Sequence, residues 1–145
     1  MTDGGMQEYR LTPHERVVVT ERTPEALTAT AEYGAGGSPP PAHYHPAQDE
    51  RFEVLEGRLS VRLGGEEEKT LRPGDVLEVP RGTRHAMWNS GDTTAKVRWR
   101  TSPPGRTEEW WRLLDGLVAA GRKPGPLTMA KPLFEYRDVF RLARL

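Results

Sequence analysis

The chain has 145 residues, 21 basic and 21 acidic side chains, and no cysteine, which suits one domain with one hydrophobic core and no disulfide framework. The balanced charge disfavours a nucleic-acid partner, and without cysteine only histidine and carboxylate side chains remain as strong metal ligands. No apolar stretch has the length of a signal-peptide core or a membrane helix, so we expect a cytoplasmic protein whose partner is a small molecule rather than a membrane.

Residues 16 to 101 carry the pattern of short antiparallel strands. Apolar or small side chains alternate with polar ones in Leu27–Tyr33, in Leu59–Leu63 and around Val97–Trp99. This period of two places one face of each strand against a core. Two turns are predicted between such runs, at Gly64–Gly65 and at Arg72–Asp75, where Gly and Pro suit tight backbone angles. Many short strands divided by turns are typical of an all-β sandwich or closed barrel.

Beyond residue 105 the hydrophobic period becomes that of a helix. Apolar residues recur at the spacing of one amphipathic face, namely Trp110, Leu113, Leu114, Leu117 and Val118. One helix is therefore predicted to begin at Thr107 and to end near Gly121, and a second to run from about Pro132 to Arg144. We expect both, in a C-terminal extension of about residues 106–145, to pack outside the barrel (about residues 16–101), so that residues 1–145 form a single domain.

Three of the four histidines lie in two short segments. His43 and His45 alternate in an extended run, which places both rings on one side of a strand, about 6.6 Å apart along the backbone. Glu50 follows five residues later, at the start of an apolar-rich strand. His85 begins a strand after a Pro-Gly turn. The sequence therefore predicts one metal site with His43, His45, Glu50 and His85 as ligands.

The two segments resemble the two sequence motifs of the cupin superfamily. The first motif, G-x5-H-x-H-x4-E-x6-G, and the second, G-x5-P-x-G-x2-H-x3-N, are met without gaps by Gly37, His43, His45, Glu50, Gly57, Gly74, Pro80, Gly82, His85 and Asn89. The resemblance implies a double-stranded β-helix, or jelly-roll barrel. It also implies one divalent transition-metal ion inside the barrel, bound by the three histidines and Glu50, with open positions for other ligands.

A set of three nitrogens and one oxygen suits iron, manganese, nickel, cobalt, copper or zinc, and does not choose among them. Strand alternation predicts the cavity wall around the ion to consist of Tyr33, Phe52, Val54, Met87 and Trp99. Glu50 is the one candidate for a catalytic base that the pattern provides.

The resemblance favours a metal-dependent enzyme acting on a small organic molecule, with dioxygenase chemistry similar to that of the quercetinase-like cupins as the leading interpretation. An isomerase or a polyketide cyclase would use the same ion only to stabilise negative charge on the substrate. A non-catalytic cupin that binds or senses a metal or a small molecule is the competing class. Oxygen uptake would separate the dioxygenase from the isomerase or cyclase.

A homodimer is also predicted. The resemblance suggests a dimer, since members of the family commonly form dimers. The apolar segment Val17 to Val19 is also expected to form a strand that pairs with the edge of a second barrel. The partners expected for this chain are therefore a small molecule and a second copy of itself.

Overall fold

A computed structural model describes residues 6–121 and 125–143. Its elements in chain order are β1 (Glu8–Thr12), β2 (Glu15–Arg22), β3 (Leu27–Tyr33), β4 (His43–Tyr44), β5 (Asp49–Glu56), β6 (Leu59–Leu63), β7 (Lys69–Leu71), β8 (Val76–Val79), β9 (His85–Trp88), β10 (Ala95–Ser102), α1 (Thr107–Ala119), α2 (Pro126–Glu135) and β11 (Arg141–Leu142). Within the described residues, neither helix is long and apolar enough to cross a bilayer.

The strands form two antiparallel sheets, which confirms the predicted all-β fold. Six strands follow the order β1-β2-β3-β10-β5-β8, and five follow the order β11-β4-β9-β6-β7. Neighbouring strands are far apart in sequence, as in β10 between β3 and β5, which is the connectivity of a double-stranded β-helix rather than of a simple meander. The predicted strands Leu27–Tyr33 and Leu59–Leu63 have the observed bounds of β3 and β6.

The core lies between the inner faces of the two sheets. In one cross-strand row, Trp99 lies between Ala29 of β3 and Phe52 of β5. Ala29 is fully buried and Phe52 is buried as well. Burying a side chain of the size of Phe contributes about 1.5–3 kcal/mol to stability. The small alanine beside the two large rings lets them fit on one twisted sheet, so the interior is filled by alternating large and small residues.

The sheet begins earlier than the predicted start at residue 16. β1 begins at Glu8 and pairs with β2, and β2 also pairs with β3. The segment Val17 to Val19 therefore has neighbours on both sides, and the side chains of Val17 and Val19 are buried in the core. The expectation that this segment offers a free edge to a second copy is wrong, because β1 occupies that edge.

Helix α1 confirms the first predicted helix. Its apolar face does pack on the outside of the strands, but Trp110 and Trp111 are buried and help to enclose the interior. Trp111 lies against Tyr9 of β1 and Trp99 of β10, with ring centroids 6.4 and 4.9 Å apart. The helix is therefore a lateral cover of the barrel rather than a separate appendage.

The second helix lies earlier than predicted. It runs from Pro126 to Glu135, because Pro126 fits the first helical position, where a missing N–H costs nothing. The chain then turns, and Arg141–Leu142 pairs with β4 instead of continuing as a helix. The predicted end of that helix, Arg144, lies outside the described residues.

Candidate metal centre and cavity

The two segments that carry the candidate histidine ligands lie side by side in the five-stranded sheet. His43 of β4 is the cross-strand partner of His85 of β9, and His45 follows directly after β4. The ligand atoms of these three residues all lie within 4.8 Å of one another. Adjacent strands in register bring together residues that are 42 positions apart in sequence, so the hydrogen-bonded ladder itself sets the spacing of the rings.

Two of the histidines have their tautomer fixed by backbone carbonyls. His45 Nδ1 lies 2.7 Å from the carbonyl oxygen of Val139, and His85 Nδ1 lies 3.0 Å from that of Thr83. A carbonyl can only accept, so each Nδ1 carries the proton and donates it. In the neutral rings, the Nε2 atoms of His45 and His85 therefore carry the lone pairs with which histidine binds a metal ion.

Glu50 lies beside these two nitrogens. Its Oε1 is 3.2 Å from Nε2 of His45 and 3.4 Å from Nε2 of His85, while its Oε2 accepts a hydrogen bond of 2.9 Å from the indole N–H of Trp99. The carboxylate is buried, and it contacts two of the histidines rather than belonging to the mutual group of three. Trp99 thus orients the carboxylate and leaves one oxygen facing the rings.

The unsatisfied atoms at this point match what a cation would satisfy. His45 Nε2 and Glu50 Oε1 are both buried and have no hydrogen-bond partner. Two lone-pair atoms that face each other in a buried site repel unless a cation or a proton lies between them. Three imidazole nitrogens and a carboxylate oxygen are the donor types that divalent transition metals prefer, so the residues present fit a bound metal ion.

The electrostatics of the group follow from burial and mutual charge. Burial, together with the neighbouring His85 and His45, lowers the pKa of His43 to about 3, so this ring is neutral at physiological pH. Burial alone would lower the pKa of His45, but the Glu50 carboxylate raises it. Burial likewise opposes ionisation of Glu50, yet His45 and His85 outweigh it and hold the pKa of that carboxyl well below its usual range.

The histidine group opens into a cavity of about 670 Å³. Its wall is mainly apolar and aromatic, and includes Tyr33, Phe52, Met87 and Trp99 of the predicted wall, with His43, His45 and His85 on one side. Val54 lies in the packed core and is not among the lining residues. Alternation places Val54 on the inner face of β5, but it does not determine which residues of that face border the cavity.

A family model described as a cupin domain matches residues 29–100, the part of the chain that holds the four candidate ligands. The chain belongs to the cupin superfamily. This cupin is 37% identical over 86 residues to tetracenomycin polyketide synthase protein TcmJ from Streptomyces glaucescens, a match that covers 56% of this chain and 57% of TcmJ. It is 33% identical over 129 residues to germin-like protein subfamily 1 member 4 from Arabidopsis thaliana, covering 79% of this chain and 56% of that protein.

The matches therefore span little more than half the length of these two relatives. Among solved structures, KdgF from Halomonas sp. is similar with a TM-score of 0.58 and 23% sequence identity, over 67% of this cupin and 87% of that chain. At this identity the likeness concerns the fold, and it agrees with the double-stranded β-helix described above.

The C-terminal segment after α2 contributes to the cupin site although it lies outside the matched residues. Phe140 stacks on the ring of His43, with centroids 4.6 Å apart and planes inclined by 22°, and the Val139 carbonyl orients His45. β11 pairs with β4, and the N–H of Ala143 donates to the carbonyl of Ala42. Residues 139–143, which we call the C-terminal strap, thus hold the strand that carries two candidate ligands.

Several residues of the cavity wall were not predicted from the sequence. They are Leu11, Glu15, Trp110, Trp111, Met129, Leu133, Val139 and Phe140. Of these, Glu15 had a local signal, because it alternates with Val17 and Val19 on the inner face of β2. The residues of the strap had none, because their role depends on how the chain returns to the barrel after α2.

Proposed function

We propose that this cupin is a metal-dependent enzyme that acts on a small organic molecule held in the cavity, with oxygenase chemistry of the dioxygenase type. The observation that carries the proposal is the convergence of His45 Nε2 and Glu50 Oε1, both buried and without a hydrogen-bond partner, at a point where the histidine group lines the cavity. His43, His45, Glu50 and His85 would hold the ion.

A divalent ion in this position would supply Lewis-acid polarisation of a substrate oxygen, and a redox-active one would also activate dioxygen. The chain's own residues supply the rest. Trp99 and the strap keep Glu50 and His45 oriented, so no reorganisation is needed when a substrate arrives. The wall of Phe52, Met87, Trp99 and Trp110 excludes water from the reacting groups.

A second candidate function is a redox-neutral cyclase or isomerase. TcmJ, which is 37% identical over the matched part, is named as a protein of a polyketide synthase, and a carboxyl group outside the metal ligands, that of Glu15, faces the same cavity. An enzyme of this kind needs a proton donor or acceptor and no oxidant. A non-catalytic binding or sensor protein is the third possibility, with the same cavity and no turnover.

Oxygen uptake separates these functions. The protein would be purified without chelator, loaded with iron, copper, manganese, nickel, cobalt or zinc in turn, and incubated with phenolic and dicarbonyl compounds in an oxygen electrode, with His85→Ala as the control. Oxygen consumed in step with substrate, and only when His85 is present, supports the oxygenase. Product formed under argon at the same rate supports the cyclase or isomerase, and binding without turnover supports the third class.

Two expectations from the sequence remain proposals. A homodimer is proposed from the family habit alone, since β2 is not a free edge, and light scattering at micromolar concentration would measure it. A cytoplasmic location is proposed as well, and cell fractionation would measure that.

A further inference from the structure

Glu15 places a carboxyl group on the inner face of the barrel. It begins β2, whose next inward residues, Val17 and Val19, are buried in the core. Its neighbour Arg16 faces the other way and pairs with Glu32 at 2.9 Å and with Glu8 at 3.3 Å. Glu15 is partly buried and is one of the residues that line the cavity.

In the part of the chain that the structure describes, no basic group neutralises the Glu15 carboxyl. Within residues 6–121 and 125–143, Glu15 forms no ion pair with Lys, Arg or His, and the nearest guanidinium in sequence, that of Arg16, is engaged on the outer face. An acidic group turned into an apolar cavity without a cationic partner is costly to keep ionised. Burial accordingly raises the pKa of Glu15 to about 7, a rise that Tyr33 opposes and the Glu50 charge reinforces.

Tyr33 is the polar neighbour of Glu15. The two residues are direct cross-strand partners in the β2–β3 ladder, and both line the cavity. The end of β3 is held in place by Asn89, whose side-chain N–H donates to the Tyr33 carbonyl at 2.9 Å. Burial and the carboxylates of Glu15 and Glu50 raise the pKa of the Tyr33 hydroxyl well above its usual value, so this group remains a proton donor at physiological pH.

The two side chains give the cavity a second polar point, on different strands from all four candidate metal ligands. The wall of the same cavity carries aromatic rings. The ring centroids of Phe52 and Trp99 are 5.4 Å apart, and those of Trp99 and Trp111 are 4.9 Å apart. Flat aromatic molecules pack favourably against such rings. A molecule that fills this space therefore meets polar groups at two places and apolar surface elsewhere.

We propose that Glu15 and Tyr33 form a substrate-binding pair that hydrogen bonds a hydroxyl or carbonyl oxygen of an aromatic substrate whose ring system lies against Phe52, Trp99 and Trp111. The inference rests on the proposed function in that it names the class of substrate, a hydroxylated aromatic compound. The pair selects molecules by the presence of an oxygen substituent, because a plain hydrocarbon cannot hydrogen bond the remaining donor and acceptor positions of the two groups.

The test measures binding to metal-free protein, so that its result does not depend on the metal chemistry. The probes are 2-naphthol and naphthalene, which differ by one hydroxyl, and the signal is quenching of the tryptophans that line the cavity. The wild type is expected to bind 2-naphthol about tenfold more tightly than naphthalene, the size expected of one or two neutral hydrogen bonds. In Glu15→Leu and in Tyr33→Phe this preference is expected to shrink to about threefold or less, with naphthalene affinity retained.

The matched control is Glu21→Leu, which makes the same replacement on the same strand at an exposed position. It is expected to keep the preference of the wild type. Tyr33→Phe keeps the ring and the packing, so it tests the proposal even if Glu15→Leu does not fold.

A preference that persists in Tyr33→Phe overturns the proposal, and so does a wild type that binds neither probe or both equally. If the preference is present and depends on both residues while no metal-dependent turnover is found, the binding pair stands and the proposed enzymatic function fails. If metal-dependent turnover is found without such a preference, the proposed enzymatic function stands and the binding pair fails.

Discussion

His45 and Val139 are linked by a hydrogen bond of 2.7 Å from the imidazole Nδ1 to the main-chain carbonyl, across 94 positions of sequence. A candidate metal ligand that directly follows β4 is thereby oriented by the segment after α2. Because the proton on Nδ1 is committed to Val139, Nε2 is the atom that faces Glu50 and the other rings. The strap is consequently part of the candidate metal centre, because it orients one of the candidate ligands.

Loss of the strap's aromatic contact is expected to weaken metal binding. Phe140→Ala removes the ring that stacks on His43, and outer groups of this kind contribute about tenfold or more to metal affinity. Competition with a chromophoric chelator would measure the change. Phe134→Ala is the matched control, because Phe134 is 65% exposed on α2 and its loss should leave affinity unchanged. Equal effects of the two substitutions would contradict a specific role for the strap.

The indole N–H of Trp99 is expected to support Glu50. Trp99→Phe removes the 2.9 Å hydrogen bond to Oε2, leaving a buried carboxylate oxygen unpaired, which costs about 1–3 kcal/mol of stability and lowers metal affinity about tenfold. Chemical denaturation and metal competition measure the two effects. Trp110→Phe makes the same replacement in the same cavity wall at a ring that donates no hydrogen bond to a candidate ligand among the described residues. Metal affinity lost equally in both variants would refute the role of the N–H group.

Glu15 is expected to make stability depend on pH. Its pKa of about 7 in the folded protein exceeds the ordinary value of 4.5, so the folded state holds a proton that the unfolded state releases. The contribution to the free energy of unfolding is fully present below about pH 4.5 and is lost as the pH rises towards 7. Glu15→Gln lacks it. Urea unfolding at pH 5 and pH 8 should therefore show a smaller pH-dependent loss in Glu15→Gln than in the wild type, and parallel changes would contradict the raised pKa.

Gly57 is expected to tolerate no side chain. Its φ is +72°, and a Cβ added there would lie 2.6 Å from the carbonyl oxygen of Thr94 and 2.9 Å from Cα of Ala95. Gly57→Ala should therefore destabilise the fold by about 2 kcal/mol or more. Gly65→Ala is the control, since a Cβ at Gly65 meets nothing within 4 Å. Thermal unfolding measures both, and equal melting temperatures would show that the backbone of β10 yields at this point.

The barrel and the close approach of its three histidines could be predicted because both depend on short-range sequence signals. His43, His45 and His85 lie in strands whose alternation and turn residues are short-range signals, and the two motifs fix how those strands pair. The order β3-β10-β5 and the placement of the ligand-bearing strands follow from the family fold that these motifs indicate. Local pattern and global fold agree there.

The errors arose where long-range packing decides the outcome. The periodicity of Leu133, Tyr136 and Phe140 suits a helix, but pairing of Arg141–Leu142 with β4 ends the helical path earlier. For Val54, alternation gave the inner face of β5, but the side chain belongs to the packed core and is not among the residues that line the cavity. The strap could not be predicted because a main-chain carbonyl such as that of Val139 carries no sequence signature.

His43, His45, Glu50 and His85 are proposed to hold one divalent metal ion. The decisive experiment is elemental analysis of untagged protein purified without added metal or chelator, with His43→Ala as the variant and His14→Ala, at an exposed histidine, as the control. We expect about one transition-metal ion per chain in the wild type and in His14→Ala, and none in His43→Ala, whose barrel core remains intact. Metal retained in His43→Ala, or absent from the wild type even after incubation with each candidate ion, would show that these four residues do not form a metal site.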